Sequence, residues 1–270
     1  MTGAEALLKT AAAAGIDACF ANPGTTEMSL VAALDAVPSV RAVLGLFEGV
    51  CSGAADGYAR MTGRPALALF HLGPGLANAI ANLHNARRAR SPVVNLVGDQ
   101  ATWHQAADAP LTSDIASLAR NVSLWVRQSQ SAGQVAQDAA EAIAASLGTP
   151  AGVATLILPA DCLSGDAAGP EKPIAPAMPQ QVAADAVELV AARLRVNSRA
   201  AIALGGKALS ARGQRAAGRI AQATGCHLFS ECFPARFERG PDLPAVDRLP
   251  YFPEWVAVFL EGVRTLVLAG

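Results

Sequence analysis

The sequence predicts an α/β protein built on a doubly wound parallel sheet. Short apolar runs without polar alternation recur along the chain, and alanine-rich stretches of helical length separate them. Strands that read as continuous apolar runs are buried on both faces, which is typical of a parallel sheet covered by helices. The regular succession of apolar run and helix is the pattern of β–α–β crossovers. In such sheets, ligands bind at the carboxyl ends of the strands.

The elements can be assigned in chain order. The predicted strands of the first domain, residues 1–165, cover residues 18–21, 42–47, 66–70, 93–97, 123–126 and 153–158. The predicted helices cover residues 4–14, 27–36, 49–61, 77–88, 114–119 and 134–146. A proline-rich linker, residues 166–180, follows. The pattern then restarts in an incomplete second α/β domain, residues 181–270, with helices at 181–195 and 211–223 and strands at 200–204, 227–229 and 265–269.

Composition and charge exclude several classes of function. The chain carries 21 basic and 22 acidic residues and has no basic patch, so a nucleic-acid partner is not expected. No apolar run reaches transmembrane length and the N-terminus lacks the basic region of a signal peptide, so we expect no membrane association and a cytoplasmic location. The five cysteines include no Cys-x-x-Cys pair, which indicates free reduced thiols and argues against a metal site.

Glu48 has the most informative setting of the acidic residues. It stands where the apolar run 42–47 ends and a helix rich in small residues begins. A lone carboxylate in apolar surroundings is either a structural accident or a reactive group. Its place at the end of a predicted strand favours a reactive group.

Three other loops follow predicted strands and should face the same ligand. Their turns contain glycines that admit close approach of a ligand, hydroxyls that cap a helix, and polar side chains. These candidates are Pro23, Gly24, Thr25, His71, Gly73, Gly75, Asp99 and Gln100. A histidine in such a turn is either catalytic or a structural hydrogen-bonding group, and the residue types alone leave both open.

A dinucleotide site is a competing interpretation of the third loop. Gly73-Pro-Gly-Leu-Ala-Asn78 is most of a Gly-x-Gly-x-x-Gly fingerprint, and Asp99 ends the next strand where a ribose-binding acid would lie. Asn78 replaces the third glycine, however, and this interpretation leaves Glu48 without a role.

Three motifs together resemble a known family. They are Phe20-Ala-Asn-Pro-Gly-Thr-Thr-Glu27, Glu48-Gly-Val-Cys-Ser-Gly-Ala-Ala-Asp-Gly-Tyr-Ala-Arg60 and Gly73-Pro-Gly-Leu-Ala-Asn-Ala-Ile80. In this order and spacing, the chain resembles the thiamine-diphosphate-dependent 2-oxo acid enzymes, in the branch of acetolactate synthase and benzoylformate decarboxylase. The first domain is similar to the pyrimidine-binding domain of that family, and the second domain is similar to the beginning of its middle domain.

The resemblance implies roles for several residues. Glu48 matches the glutamate that hydrogen-bonds the aminopyrimidine ring of thiamine diphosphate and favours the tautomer that removes the thiazolium C2 proton. His71 and Thr25 match an active-site histidine and serine of benzoylformate decarboxylase, so the expected catalytic residues are Glu48 and His71. Thr25, His71 and Gln100 are the substrate-side candidates. The expected cofactor-binding residues are Glu48, Pro23, Gly24, Gly73, Gly75 and Asn78.

The resemblance also implies that this chain holds half of a cofactor site. The family binds the diphosphate through Mg²⁺, which is held by a Gly-Asp-Gly motif in a separate pyrophosphate domain, and this sequence contains no Gly-Asp-Gly. We therefore expect no metal ligands on this chain and no activity from it alone. A homo-oligomer (dimer or tetramer), or a partner carrying the pyrophosphate domain, is expected to complete the site. We expect the chain to be either a fragment of a longer enzyme or a natural split subunit. The sequence does not decide whether FAD binds.

The expected function is decarboxylation or carboligation of a 2-oxo acid, as in acetolactate synthase. One alternative is a non-ligating decarboxylase similar to benzoylformate decarboxylase, which the histidine at position 71 favours. The other is a non-catalytic subunit that retains the cofactor domain for assembly.

Overall fold

The computed structural model describes residues 1–196 and 199–270, which form two compact units, Met1–Pro179 and Gln180–Gly270. The boundary falls at the end of the segment predicted as a linker. That segment is extended and is partly anchored on the first unit: Ala167 N–H donates to the Met1 carbonyl at 2.9 Å, and Glu171 N–H donates to Thr10 Oγ1 at 2.9 Å. Among the described residues, no helix combines the length and hydrophobicity needed to span a membrane.

The first unit is a six-stranded parallel sheet with helices on both faces, which confirms the predicted fold class. The strand order is β2-β1-β3-β4-β6-β5. The strands are β1 (Ala18–Asn22), β2 (Arg41–Leu44), β3 (Ala66–Phe70), β4 (Val93–Asp99), β5 (Trp125–Gln128) and β6 (Val153–Pro159). The helices are α1 (Gly3–Ala13), α2 (Met28–Ala36), α3 (Glu48–Thr62), α4 (Leu72–Ala89), α5 (Ile115–Arg120), α6 (Val135–Ser146) and α7 (Ala160–Ser164).

Strand β3 shows why this sheet is covered on both sides. Its alternate residues point to opposite faces: Leu67 and Leu69 join the core beneath α1, α2 and α6, whereas Phe70 joins the core beneath α3, α4 and α5. All five residues of the strand are buried. Burying each large side chain stabilises the fold by roughly 1.5–3 kcal/mol, so an uninterrupted apolar run is the sequence that a central parallel strand requires.

The second unit is a smaller parallel sheet in the order β10-β7-β8-β9. Its strands are β7 (Ala200–Leu204), β8 (His227–Ser230), β9 (Asp247–Arg248) and β10 (Thr265–Ala269), and its helices are α8 (Ala184–Val196), α9 (Ala211–Thr224) and α10 (Pro253–Phe259). The pattern predicted for this region is therefore confirmed. The sequence analysis did not find the short elements α7, α10 and β9.

Several predicted elements differ from the structure in their bounds, among them β2, β5 and α4. β2 ends at Leu44 instead of residue 47, and it is an edge strand whose apolar side chains are largely exposed. β5 is shifted to Trp125–Gln128 because its polar residues continue to pair with β6. α4 begins at Leu72, five residues earlier than predicted. Pro74 lies in its first turn, where no backbone N–H has an intrahelical partner, so the proline removes no hydrogen bond.

Candidate functional site

The loops that contain the candidate residues meet at the point where the sheet reverses its winding direction. β2 lies on one side of β1 and β3 on the other, so the chain crosses over between them. A crevice opens at such a switch point, outside the carboxyl ends of the strands. Asn22 pairs with Phe70 in the β1–β3 register, so Pro23–Gly24 and His71 leave the sheet side by side. Fold topology therefore places both loops at the position where ligands of doubly wound sheets bind.

Glu48 is the first residue of α3 and is buried, with 8% of its surface exposed. Asn78, in the second turn of α4, donates from Nδ2 to Glu48 Oε2 at 3.0 Å. Within the described residues, the other carboxylate oxygen, Oε1, has no hydrogen-bond partner. One oxygen is thus fixed by the protein and the other can accept a hydrogen bond from a ligand.

Gly75 explains how Glu48 and His71 come together. A Cβ added to Gly75 would lie 2.9 Å from Glu48 Oε1 and 3.5 Å from the Cβ of His71. The two side chains therefore flank the same small gap, and any residue larger than glycine would press on the carboxylate. Gly75 is needed here for space, because its backbone does not adopt a positive φ.

His71 lies in a tight turn between β3 and α4. The next residue, Leu72, is buried and has φ of 52°, a left-handed conformation that a leucine rarely adopts. Such local strain is concentrated at functional sites. The imidazole ring lies against the backbone of Gly24, where an added Cβ would be 2.3 Å from Nδ1. Only glycine at position 24 leaves room for the ring.

Glu27 is a further residue of the site, and the sequence analysis did not single it out. Its carboxylate is completely buried. Glu27 Oε2 lies 2.8 Å from His71 Nδ1 and accepts the Gly24 N–H at 2.7 Å, while Oε1 accepts the Thr26 hydroxyl. The sequence signal was an acid three residues after Gly24, a spacing from which a glutamate side chain can accept the N-cap backbone N–H, as in one half of a capping box. That pattern predicts a cap but not burial against a histidine.

The remaining predicted residues take more peripheral positions. Thr25 is exposed, and the hydroxyl near His71 is that of Thr26, whose Oγ1 lies 3.4 Å from Nδ1. Adjacent side chains of the short 3-10 turn Thr25–Glu27 point in different directions, so Thr26, and not Thr25, contributes the hydroxyl beside His71. Gln100 donates from Nε2 to the Pro110 carbonyl at 3.2 Å.

Gly73 and Pro23 complete the predicted set. A Cβ added to Gly73 would lie 2.3 Å from the Cβ of Ser113, so this glycine accommodates the loop before α5. Pro23 is half-buried in the turn after β1.

The positions of the competing dinucleotide fingerprint have other partners. Asn78 donates to Glu48, and Asp99 accepts from the Gln100 N–H at 2.8 Å and from Gln105 Nε2 at 2.9 Å. Burial raises the pKa of the Asp99 carboxyl above its usual range, although these hydrogen bonds act in the opposite direction. The Asp99 carboxylate is thus bound within its own loop.

Cys51 is the thiol nearest in sequence to Glu48. It is buried against Gly45, and burial is the main cause that raises the pKa of the thiol. A thiol with a raised pKa is a poor nucleophile. Among residues 1–196 and 199–270, no group of three or more His, Cys, Asp or Glu side chains is arranged to hold a metal ion.

An exposed apolar surface adjoins Glu48 along the chain. We define the Phe47 surface as Leu44, Leu46, Phe47 and Val50, which are 72, 91, 49 and 59% exposed. Leu46 and Phe47 immediately precede the buried carboxylate. Several large apolar side chains exposed within one short segment of the chain are typical of an interaction site.

Comparison with known proteins places these features in context. Residues 1–119 match the family model described as thiamine pyrophosphate enzyme, N-terminal TPP binding domain. A Mycobacterium tuberculosis protein, IlvX, whose name provisionally assigns it to the acetolactate synthase large subunits, is 54% identical over 272 residues, covering 100% of this chain and 52% of that protein. Benzoylformate decarboxylase of Pseudomonas aeruginosa is 31% identical over 148 residues, which are 54% of this chain and 28% of that enzyme.

A solved structure agrees with the fold. Thiamine diphosphate-dependent 4-hydroxybenzoylformate decarboxylase of Rhodococcus jostii RHA1 superimposes with a TM-score of 0.86 at 24% identity, covering 100% of this chain and 52% of that enzyme. The chain thus spans about half the length of this structure and of the mycobacterial relative. Residues 1–119 are therefore similar to the N-terminal TPP-binding domain of thiamine pyrophosphate enzymes, in agreement with the resemblance carried by the three sequence motifs.

Proposed function

We propose that this chain supplies the pyrimidine side of a thiamine diphosphate site in an enzyme that decarboxylates or ligates a 2-oxo acid, similar to acetolactate synthase. The observation that supports this most directly is the Glu48 carboxylate. It is buried at the switch point, is fixed through Oε2 by Asn78, and keeps Oε1 free above Gly75. A carboxylate held in this way fits the ring nitrogen of an aminopyrimidine, which needs a partner that can hold a proton.

The residues of this chain have separable tasks in that site. When bound, thiamine diphosphate supplies the carbon nucleophile and the electron sink that 2-oxo acid decarboxylation requires. Glu48 Oε1 holds or shares a proton with the pyrimidine ring, and Asn78 keeps that oxygen oriented. His71, beside the same gap, donates or accepts a proton on the substrate side. Gly24 leaves room for the His71 ring, and Gly75 leaves room for the Glu48 carboxylate.

The rest of the cofactor site comes, in this proposal, from polypeptide outside this chain. The family resemblance assigns the diphosphate and Mg²⁺ to a pyrophosphate domain. The exposed Phe47 surface, next to Glu48 along the chain, supports a covering domain or second subunit at this point. Covering those apolar side chains would also exclude water from the Glu48 carboxylate, which strengthens its hydrogen bonds.

A decarboxylase similar to benzoylformate decarboxylase is the second candidate. The specific observation in its favour is His71, which is paired with a buried carboxylate at the site. A non-catalytic subunit is the third candidate.

Product analysis of the complete enzyme tests the proposal. The enzyme is incubated with thiamine diphosphate, Mg²⁺ and either pyruvate or benzoylformate, and the products are identified by mass spectrometry. We expect acetolactate from pyruvate; benzaldehyde as the sole product would favour the second candidate. Absence of turnover with a range of 2-oxo acids, together with absence of cofactor binding, would contradict both enzymatic functions.

A further inference from the structure

We infer that Glu27 is the positioning residue for His71: it fixes the orientation and the tautomer of the imidazole, with the proton on Nδ1 and Nε2 directed to the substrate side. This inference rests on the proposed function of the site. The observations that carry it are the burial of Glu27, the set of donors around its carboxylate, and the two glycines that make room for the pair.

The donors around Glu27 define which group carries the proton. Glu27 Oε2 accepts the Gly24 N–H at 2.7 Å and lies 2.8 Å from His71 Nδ1, and Oε1 accepts the Thr26 hydroxyl. Because Oε2 already accepts the Gly24 N–H, it acts as an acceptor towards the histidine as well, and His71 Nδ1 is the donor. A neutral ring then has its lone pair on Nε2. Within the described residues, Nε2 has no hydrogen-bond partner, and it is therefore the nitrogen that can exchange a proton with a substrate.

The surrounding backbone holds this pair in place. A Cβ added to Gly98 would lie 1.6 Å from Glu27 Oε1, so the carboxylate occupies the space that a side chain on β4 would otherwise fill. Gly24 provides the surface against which the imidazole ring packs. The left-handed turn at Leu72 directs α4 away from the strand immediately after His71. Three separate segments thus converge on one side-chain arrangement, which is more than a helix cap requires.

The cost of this arrangement supports a functional role. A fully buried carboxylate is destabilising unless hydrogen bonds and a charged or polar partner compensate for its lost hydration. A simple cap of the turn Thr25–Glu27 could be made by an exposed side chain at no such cost. Here the carboxylate instead lies beneath the histidine at the mouth of the switch-point crevice.

Nuclear magnetic resonance of the 270-residue chain, without any cofactor, tests the tautomer. The four histidines are distinguished by recording imidazole ¹⁵N–¹H correlation spectra of the wild type and of His71→Gln. We expect His71 to be protonated on Nδ1 and this proton to exchange slowly with solvent. In Glu27→Ala, which removes both acceptor oxygens, the slowly exchanging resonance should be lost. A His71 with its proton on Nε2 alone in the wild type would overturn the inference. The His71 ring can also be assigned through bonds from its own backbone resonances, so the wild-type tautomer can be determined even if a variant does not fold.

Kinetics of the complete enzyme test whether the positioning matters. Glu27→Gln should lower kcat by about 10- to 100-fold, with a smaller change in KM, because the neutral amide no longer stabilises the positive charge that His71 gains when Nε2 takes a proton, whereas the crevice is retained. The matched control is Asp138→Asn, which also neutralises a buried carboxylate, here bonded to Arg127 at 2.8 Å and Ser129 at 2.7 Å. The control should lose stability without a selective loss of kcat.

The outcomes separate this inference from the function on which it rests. If Glu48→Gln abolishes turnover while Glu27→Gln retains full kcat, the inference is wrong and the proposed function stands. If the Nδ1 tautomer is found but Glu48→Gln retains full turnover, the proposed function is wrong and the structural pairing of Glu27 with His71 stands.

Discussion

Asn78 donates a hydrogen bond of 3.0 Å to Glu48, joining the second turn of α4 to the first residue of α3. Because Glu48 begins a helix, its carboxylate also lies where the positive end of the helix dipole favours a negative charge. The two effects allow a carboxylate to be buried without a cationic partner. They also leave Oε1 available, which is the property on which the proposed function depends.

Substitution of Glu48 by glutamine should leave the stability of the fold nearly unchanged but remove most of the catalytic activity. The amide oxygen of glutamine can still accept from Asn78, so we expect the free energy of unfolding to change by about 1 kcal/mol or less. The carboxylate that shares a proton with the cofactor is lost, so kcat/KM of the complete enzyme should fall by roughly 10²- to 10⁴-fold. Steady-state kinetics and chemical denaturation check the two quantities. Near-normal turnover would contradict the assignment of Glu48.

A pair of glycine-to-alanine changes tests the space above Glu48. In Gly75→Ala, the new methyl group would meet Glu48 Oε1 at 2.9 Å, so the carboxylate must move and turnover should fall at least about 10-fold. Gly57→Ala in α3 is the matched control because nothing lies within 4 Å of its added Cβ. There, alanine should stabilise the protein by up to about 1 kcal/mol through its higher helix propensity and leave turnover unchanged. Equal activities of the two variants would show that Gly75 is not needed for space.

Asp99 should make stability depend on pH. Burial raises the pKa of this carboxyl in the folded protein above its value in the unfolded chain. The folded protein therefore holds the proton more tightly, and the stability that Asp99 contributes at acidic pH is lost as the pH rises through the folded-state pKa. Asp99→Asn should consequently be more stable than the wild type at pH 7, and the difference should shrink at about pH 4 and below. Thermal denaturation across this range checks the sign, and a variant that is less stable at pH 7 would contradict it.

The Phe47 surface should contribute to assembly. Leu46 is 91% exposed, so a charge at this position should be tolerated by the fold of the isolated chain. In the complete enzyme, Leu46→Glu would place that charge in an apolar contact and should shift the oligomer towards smaller species. Met178→Glu, at a site that is 81% exposed outside this surface, is the control. Sedimentation velocity measures the distribution, and identical profiles for both variants would exclude the Phe47 surface from the interface.

The 270-residue chain by itself should bind thiamine diphosphate weakly or not at all. The residues described here provide contacts for the pyrimidine ring, whereas the family resemblance assigns the diphosphate and Mg²⁺ to a different domain. Isothermal titration with cofactor and Mg²⁺ provides the measurement, with Glu48→Gln as a reference for non-specific heat. Tight one-to-one binding would mean that this chain contains diphosphate contacts that the resemblance places elsewhere.

The sequence by itself determined the fold class, the central strands and the location of the principal carboxylate. β3 and β7 have the bounds that their apolar runs predict, because a strand buried on both faces requires a continuous apolar segment. Glu48 could be placed at the carboxyl edge of the sheet because strand and helix patterns are local. The residue at which an apolar strand pattern gives way to a helix pattern can therefore be identified from the sequence.

Only the tertiary structure decided which side chains meet at that edge. Glu27 and His71 are separated by 44 residues, and their contact depends on β1 and β3 being neighbours in the sheet. The same register brings Thr26 near His71 and leaves Thr25 exposed. It is also the fold that turns the apolar run before Glu48 into an exposed edge instead of a buried strand. Local periodicity specifies the elements, but strand order and register are set by packing between distant segments, and those contacts decide which polar groups are buried together.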